Sequence, residues 1–109
     1  MADKALALLG LCRRAGKLAA GFDACAIAAR EGKARLLLAA RDISPKTYKN
    51  LCYEAGRAGI PAARIEAPMG DLGRACGVKA GVLAVTDQGF ADALLGLDEA
   101  VKQEGGTSL

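Results

Sequence analysis

Apolar positions follow two rhythms along this chain, helical spacing and short unbroken runs. Leu6, Leu8, Leu9 and Cys12 recur at helical spacing over residues 4–14, with Asp3 ahead of them as a candidate cap and Gly16 as the stop. Leu18-Ala19-Ala20 is a short strand, and the alanine-rich stretch Phe22–Glu31, with Asp23 as cap and Gly32 as stop, is a second helix. Ala34–Ala40, centred on Leu36-Leu37-Leu38 behind a basic entry, suits a central strand covered on both faces. Ser44 at an N-cap and Pro45 at the first helical position start a third helix that runs to about Arg57. Gly59 and Pro61 then turn the chain.

The second half is more finely divided. Ala62–Ile65 is a weak strand, Met69–Cys76 a short helix ending at Gly77, and Val82-Leu83-Ala84-Val85 a second clearly buried strand. Thr86 or Asp87 caps a last helix carrying Phe90, Leu94, Leu95, Leu97 and Val101. Helices alternating with short apolar strands define an α/β sandwich with helices on both faces of the sheet. Residues 1–103 are expected to form one domain, and 104–109 a frayed C-terminal tail.

Composition changes this picture little, and charge changes it more. An apolar fraction of 52% and a charged fraction of 25% are those of a globular chain. No apolar run approaches the ~20 residues needed to cross a bilayer, and Met1-Ala2-Asp3-Lys4 lacks a signal peptide's basic flank, so a cytoplasmic location without membrane contact is expected. The net charge is +3, but the basic residues crowd into the first 80 positions while the end of the chain is acidic. That asymmetry suits a polyanion meeting one side of the molecule.

Catalytic chemistry finds little to work with. The chain has no histidine, hence not the usual general base. Gly10 to Lys17 misses the phosphate-binding P-loop by one position, and Leu18 stands where a hydroxyl would hold magnesium. Asp23, Asp42 and Asp71 are scattered acids of the kind that cap helices. Cys12, Cys25, Cys52 and Cys76 are widely spaced and read as buried free thiols rather than a metal site. The expectation is a non-enzymatic protein without metal or cofactor.

Anion binding finds more. Arg13, Arg14 and Lys17 flank one end of the first strand, and Gly21 then opens a helix whose start presents unpaired N–H groups. Arg41 follows the second strand. Lys79 joins these cations if the strand after it runs antiparallel to its neighbours. Each cation reaching a phosphate adds salt-dependent, sequence-independent affinity.

The run Leu11-Cys12-Arg13-Arg14-Ala15-Gly16-Lys17-Leu18, followed by Gly21, resembles the small bacterial YlxQ-type ribosomal-protein-like family. Leu72-Gly73-Arg74-Ala75-Cys76-Gly77-Val78-Lys79-Ala80-Gly81 resembles the signature of the wider superfamily of kink-turn RNA-binding ribosomal proteins. Leu36 to Asp42, with Ser44-Pro45 after it, is similar to the same pattern, so the resemblance covers roughly residues 4–100. It implies a three-layer α-β-α sandwich around a four-stranded mixed sheet, and a role in binding structured RNA. It also implies three RNA contacts: the helix start Gly21-Phe22-Asp23-Ala24, the loop Ala40-Arg41-Asp42, and Cys76-Gly77-Val78-Lys79 against an extruded base. Strong kink-turn binders of this kind carry polar side chains after the glycine and a lysine further on. This chain has Phe22, Asp23 and Ala24, and Ile27 at the lysine's place.

The expected function is therefore RNA binding by a small ribosomal-protein-like monomer, with structured RNA, ribosomal RNA included, as the partner. Arg13, Arg14, Lys17, Arg41 and Lys79 would meet phosphates, and Val78 an unstacked base. The apolar residues at 22, 24 and 27 motivate an alternative, a protein-interaction module that kept the fold and lost specific RNA readout.

Overall fold

The computed structural model describes residues 3–97 and the strand at 101–103. Five helices, α1 (Asp3–Arg14), α2 (Phe22–Arg30), α3 (Pro45–Ala58), α4 (Met69–Cys76) and α5 (Gln88–Leu95), alternate with five strands. The strands are β1 (Leu18–Ala20), β2 (Leu36–Ala39), β3 (Ala62–Ile65), β4 (Val82–Val85) and β5 (Val101–Gln103), in the spatial order β1-β4-β2-β3-β5. β2 and β3 pair in parallel, and the other pairs are antiparallel, so the sheet is mixed as expected, and β5 adds a fifth strand to the four expected.

Successive side chains of a strand point to opposite faces, and here that alternation builds two cores. Leu36, Leu38, Leu83 and Val85 pack on one face with Leu9, Cys12, Leu72 and Leu94. Leu37, Ala39, Val82 and Ala84 pack on the other with Cys25, Ala28, Ala29 and Leu51. β2 and β4 are buried along their whole length because helices cover both faces, as expected for the runs that read as fully apolar. Alanines at 39, 62 and 84 form much of the second face, and α2 meets it with its own Cys25, Ala28 and Ala29. The alanine-rich pattern of α2 is thus the complement of a shallow sheet face.

Some expectations change. Val101 lies in β5, opposite Ile65 of β3, rather than in the last helix, which stops at Leu95. The strand gives β3 a hydrogen-bonded neighbour on the side away from β2, where a bare edge would leave unpaired N–H and C=O groups. Asp3 lies inside α1 rather than ahead of it, and α2 is preceded by Gly21 with no side-chain cap, so Asp23 is a first-turn acid. Asp87 caps α5, its Oδ2 accepting from Phe90 N–H at 2.9 Å. Residues 104–109, expected as a frayed tail, lie outside the described residues. Among the described residues no helix is long and apolar enough to cross a membrane.

On the α2/α3 side, Arg30 donates from Nη2 to Glu54 Oε2 at 2.8 Å, clamping the two helices together. That hydrogen bond holds the Glu54 carboxyl below the usual glutamate range, against the opposing effect of burial. A carboxyl whose pKa is lower in the folded than in the unfolded state stabilises the fold above the unfolded value. The contribution is lost as pH falls through the folded value. Glu54→Gln is therefore expected to lower Tm at neutral pH and to converge with wild type once the pH drops below the glutamate range. Thermal denaturation at neutral pH and at about pH 3 checks this. An equal gap at both values would place the loss in packing rather than charge.

Candidate nucleic-acid interface

β1 and β2 both run antiparallel to β4, so whatever follows β1 or β2 emerges at the same end of the sheet as whatever precedes β4. Gly21, Arg41 and the loop from Gly77 to Gly81 are thereby brought together by topology. Backbone hydrogen bonds fasten them: Gly21 N–H donates to Val82 at 3.0 Å and Ala40 N–H to Gly81 at 2.7 Å. The condition on Lys79 is met, because β4 is antiparallel to both neighbours.

Gly21 has φ 97° and ψ 150°, a conformation essentially restricted to glycine. Its carbonyl accepts from Cys25 N–H at 3.0 Å, which starts α2. With no side chain capping the helix, the first-turn N–H groups lack a side-chain acceptor, beside the exposed Asp23. Phe22 is half-buried against the α2/α3 core, and Ala24 is half-buried beside it. Ile27, one turn beyond Asp23, is 52% exposed.

The Arg41 loop is held from two directions. Arg41 N–H donates to Ala67 at 2.8 Å, and its carbonyl accepts from Arg64 Nη1 at 3.1 Å. The Arg64 guanidinium also stacks over the Tyr48 ring, 4.1 Å from its centroid. The Arg41 side chain itself is exposed. Asp42 then reaches across 27 positions to accept from Met69 N–H at 2.9 Å. It serves as the cap that Pro68, at the N-cap of α4, cannot supply.

α4 and the chain after it form an open depression of about 670 Å³, lined by Met69, Gly70, Gly73, Arg74, Gly77, Val78 and Lys79. Val78 is half-buried and Lys79 exposed. Cys76 is buried, and its carbonyl accepts from Arg13 Nη1. Arg13 thus braces the C-terminus of α4, where a cation also suits the helix dipole.

The expected cations do not all meet. Arg41 and Lys79 share the Gly21 end, and Arg13 reaches the α4 terminus. Lys17 precedes β1, at the end of the sheet away from Gly21, and Arg14 closes α1 on the approach to it. The single surface expected for Lys17 with Arg41 is corrected on this point: β1 and β2 run the same way, so a residue before one and a residue after the other face apart. The braces made by Asp42 and Arg64 were not expected. Signals for both exist in the sequence, a proline at the start of α4 with no acceptor to offer, and a lone cation inside the apolar Ala62–Ile65 strand.

The cysteines add no metal site to this surface among the described residues. Cys12, Cys25 and Cys76 are buried and free, and Cys52 is half-buried. Burial is the main reason the Cys12 thiol is pushed up to about 11, with Asp87 and Cys76 adding to it; burial also pushes Cys25 to about 12. Cys12 and Cys76 belong to one face of the sheet while Cys25 and Cys52 belong to the other, so the four cannot converge on one ion. Among the described residues no group of three ligating side chains is placed to hold a metal.

The class these features define is a three-layer α/β domain with a braced loop surface at one end of its mixed sheet. The model of the ribosomal protein L7Ae/L30e/S12e/Gadd45 family matches residues 3–95, and the chain belongs to that family. It is 38% identical over 91 residues to the RNA-binding protein YlxQ of Bacillus subtilis, covering 83% of this chain and 90% of that one. It is 35% identical over 88 residues to the large ribosomal subunit protein eL30B of Schizosaccharomyces pombe, covering 79% and 75%. A solved Bacillus halodurans structure, of a protein described as of unknown function, superposes with a TM-score of 0.80 at 33% identity, over 86% of this chain and 95% of that one. These findings bear out the YlxQ-type resemblance and the α/β fold. They also agree with a non-enzymatic protein, since the named relatives are ribosomal and RNA-binding proteins.

Proposed function

We propose that this chain is a small cytoplasmic RNA-binding protein of ribosomal type that holds structured RNA, kink-turns included, at the Gly21 end of its sheet. The observation that carries the reading is the convergence there of an uncapped helix start, two exposed cations and an apolar depression. The names of the relatives support RNA as the ligand. Arg41 and Lys79 meet phosphates beside the Gly21 turn. Asp23 accepts from the exocyclic amine of a guanine edge, a role a carboxylate fills better than a phosphate contact. Phe22 packs back toward the core, so contact with an unstacked base falls to Val78 and the depression beside it.

Titration against a kink-turn RNA, its G·A-disrupted counterpart and an unrelated hairpin, each at two salt concentrations, tests this. Binding to all three is expected to weaken with salt, with the intact kink-turn held tightest. Equal affinities would remove kink-turn readout and leave a sequence-independent RNA surface. Absence of binding would favour the protein-interaction module, for which exposed Ile27 beside Asp23 is the specific observation. Partners that survive nuclease in a pull-down, and are lost in Ile27→Lys, would identify it.

A further inference from the structure

The end of the sheet away from Gly21 carries its own cations. Leu18 and Leu36 both stand opposite Val85 of β4, one on each side, so Lys17 and Arg35 stand on either side of Thr86, the residue that follows that strand. With strands ~4.8 Å apart, their backbones lie roughly 10 Å from one another. Both are fixed by the main chain: Thr86 N–H donates to the Lys17 carbonyl at 2.9 Å, and Arg35 N–H to Val85 at 2.7 Å. Arg14 lies three residues before Lys17, and Lys33 two before Arg35. All four are exposed.

Among the described residues no acidic side chain pairs with Arg14, Lys17 or Arg35, while Lys33 meets Glu31 at 3.2 Å on the open surface. Asp87, next to Thr86, is turned toward the first N–H groups of α5. A helix dipole accounts for Arg14 in the last turn of α1, but Lys17 and Arg35 belong to no helix. By contrast, Arg41 and Lys79 share the Gly21 end with exposed Asp23 and with Asp42, itself turned to Met69 N–H as Asp87 is to α5. The less compensated cationic surface is therefore the one remote from Gly21.

We infer that Arg14, Lys17, Lys33 and Arg35 form a second contact for RNA phosphates, so that the chain holds two RNA segments at once, one at each end of its sheet. This rests on the RNA-binding reading above. Arg35 and Arg41 are separated by six positions of mostly extended chain, about 20 Å, too far for one phosphate to serve both. The Gly21 end, with its glycine turn and apolar depression, reads shape. The opposite end offers its cations to backbone charge, so it binds without regard to sequence.

The test uses the full chain and two double variants, Lys17→Glu with Arg35→Glu and Arg41→Glu with Lys79→Glu, each checked for its fold by circular dichroism. A kink-turn hairpin is immobilised, saturated with protein, and offered a fluorescent oligouridylate. Wild type is expected to capture the second RNA, and the Lys17/Arg35 variant to lose that capture while keeping its hold on the hairpin. The same variant should bind oligouridylate about tenfold or more weakly, with a salt slope shallower by roughly 1.4 for two lost phosphate contacts on a single strand. Unchanged capture and slope, with hairpin binding lost only in the Arg41/Lys79 variant, would overturn the second surface and leave the RNA reading intact. No RNA bound by wild type would overturn both. Polyglutamate binding that depends on Lys17 and Arg35, with RNA binding unaffected, would overturn the inference in favour of an acidic protein partner.

Discussion

Gly21→Ala is expected to weaken RNA binding sharply and to destabilise the fold by about 1–3 kcal/mol, although the new methyl group would touch nothing. A Cβ at this position has no heavy atom within 4 Å, so crowding is not the cause. The cost arises because φ 97° with ψ 150° is closed to L side chains. Relief requires the peptide after β1 to rotate, and two bonds depend on that peptide's geometry: Gly21 N–H to Val82, and Cys25 N–H to Gly21. The first ties the turn to β4, and the second begins α2. Rotation therefore re-aims the whole first turn of α2, which the proposed interface uses. Chemical denaturation and kink-turn titration on the same samples measure both effects. Full stability with lost binding would show that the fold absorbs the rotation, and unchanged binding would remove the α2 start from the interface.

Gly73→Ala is expected to act through space instead. Gly73 lies in α4, an ordinary helical position where alanine should be favoured by up to ~1 kcal/mol. Its Cβ, however, would stand 2.9 Å from the Val78 carbonyl, a backbone atom that cannot swing aside as a side chain does. The chain from Gly77 to Lys79 must move away from α4, and overpacking of this kind costs typically ~1–3 kcal/mol. The displaced residues are those lining the depression, so affinity for RNA should fall along with stability. Gly56→Ala, in α3 with nothing near its Cβ, is the matched control and should stabilise slightly. If Gly73→Ala behaves like Gly56→Ala, the close approach of Val78 to α4 does not shape the site.

Most of the local structure was legible in the residues themselves. Ser44 caps α3, accepting from Thr47 N–H at 3.2 Å, with Pro45 beside it as expected. Met69–Cys76, Val82–Val85, Ala62–Ile65 and Leu18–Ala20 fall where periodicity put them. Periodicity alone carries the last helix too far, because Leu97 and Val101 continue the spacing of Phe90 and Leu94. Apolar spacing cannot distinguish a helix that continues from a chain that leaves it to pair with a strand. That choice was made by β3, which lies 36 residues back from Val101 at their paired position and needed a partner.

The alternation of elements, the two-faced burial of the leucine and valine runs, and the glycine-led start of α2 are written into short stretches of residues. These depend on side-chain chemistry within a few positions of one another. Tertiary structure decided which charged groups share a surface. Strand direction, not spacing, separates Lys17 from Arg41 and puts Lys79 at the same end of the sheet as the latter. Similarly, only the folded chain shows Asp42 capping α4, Arg64 holding the Arg41 loop and Arg13 closing α4. Each such bond joins residues more than 20 positions apart, and its geometry exists only once the sheet has set the order of its strands.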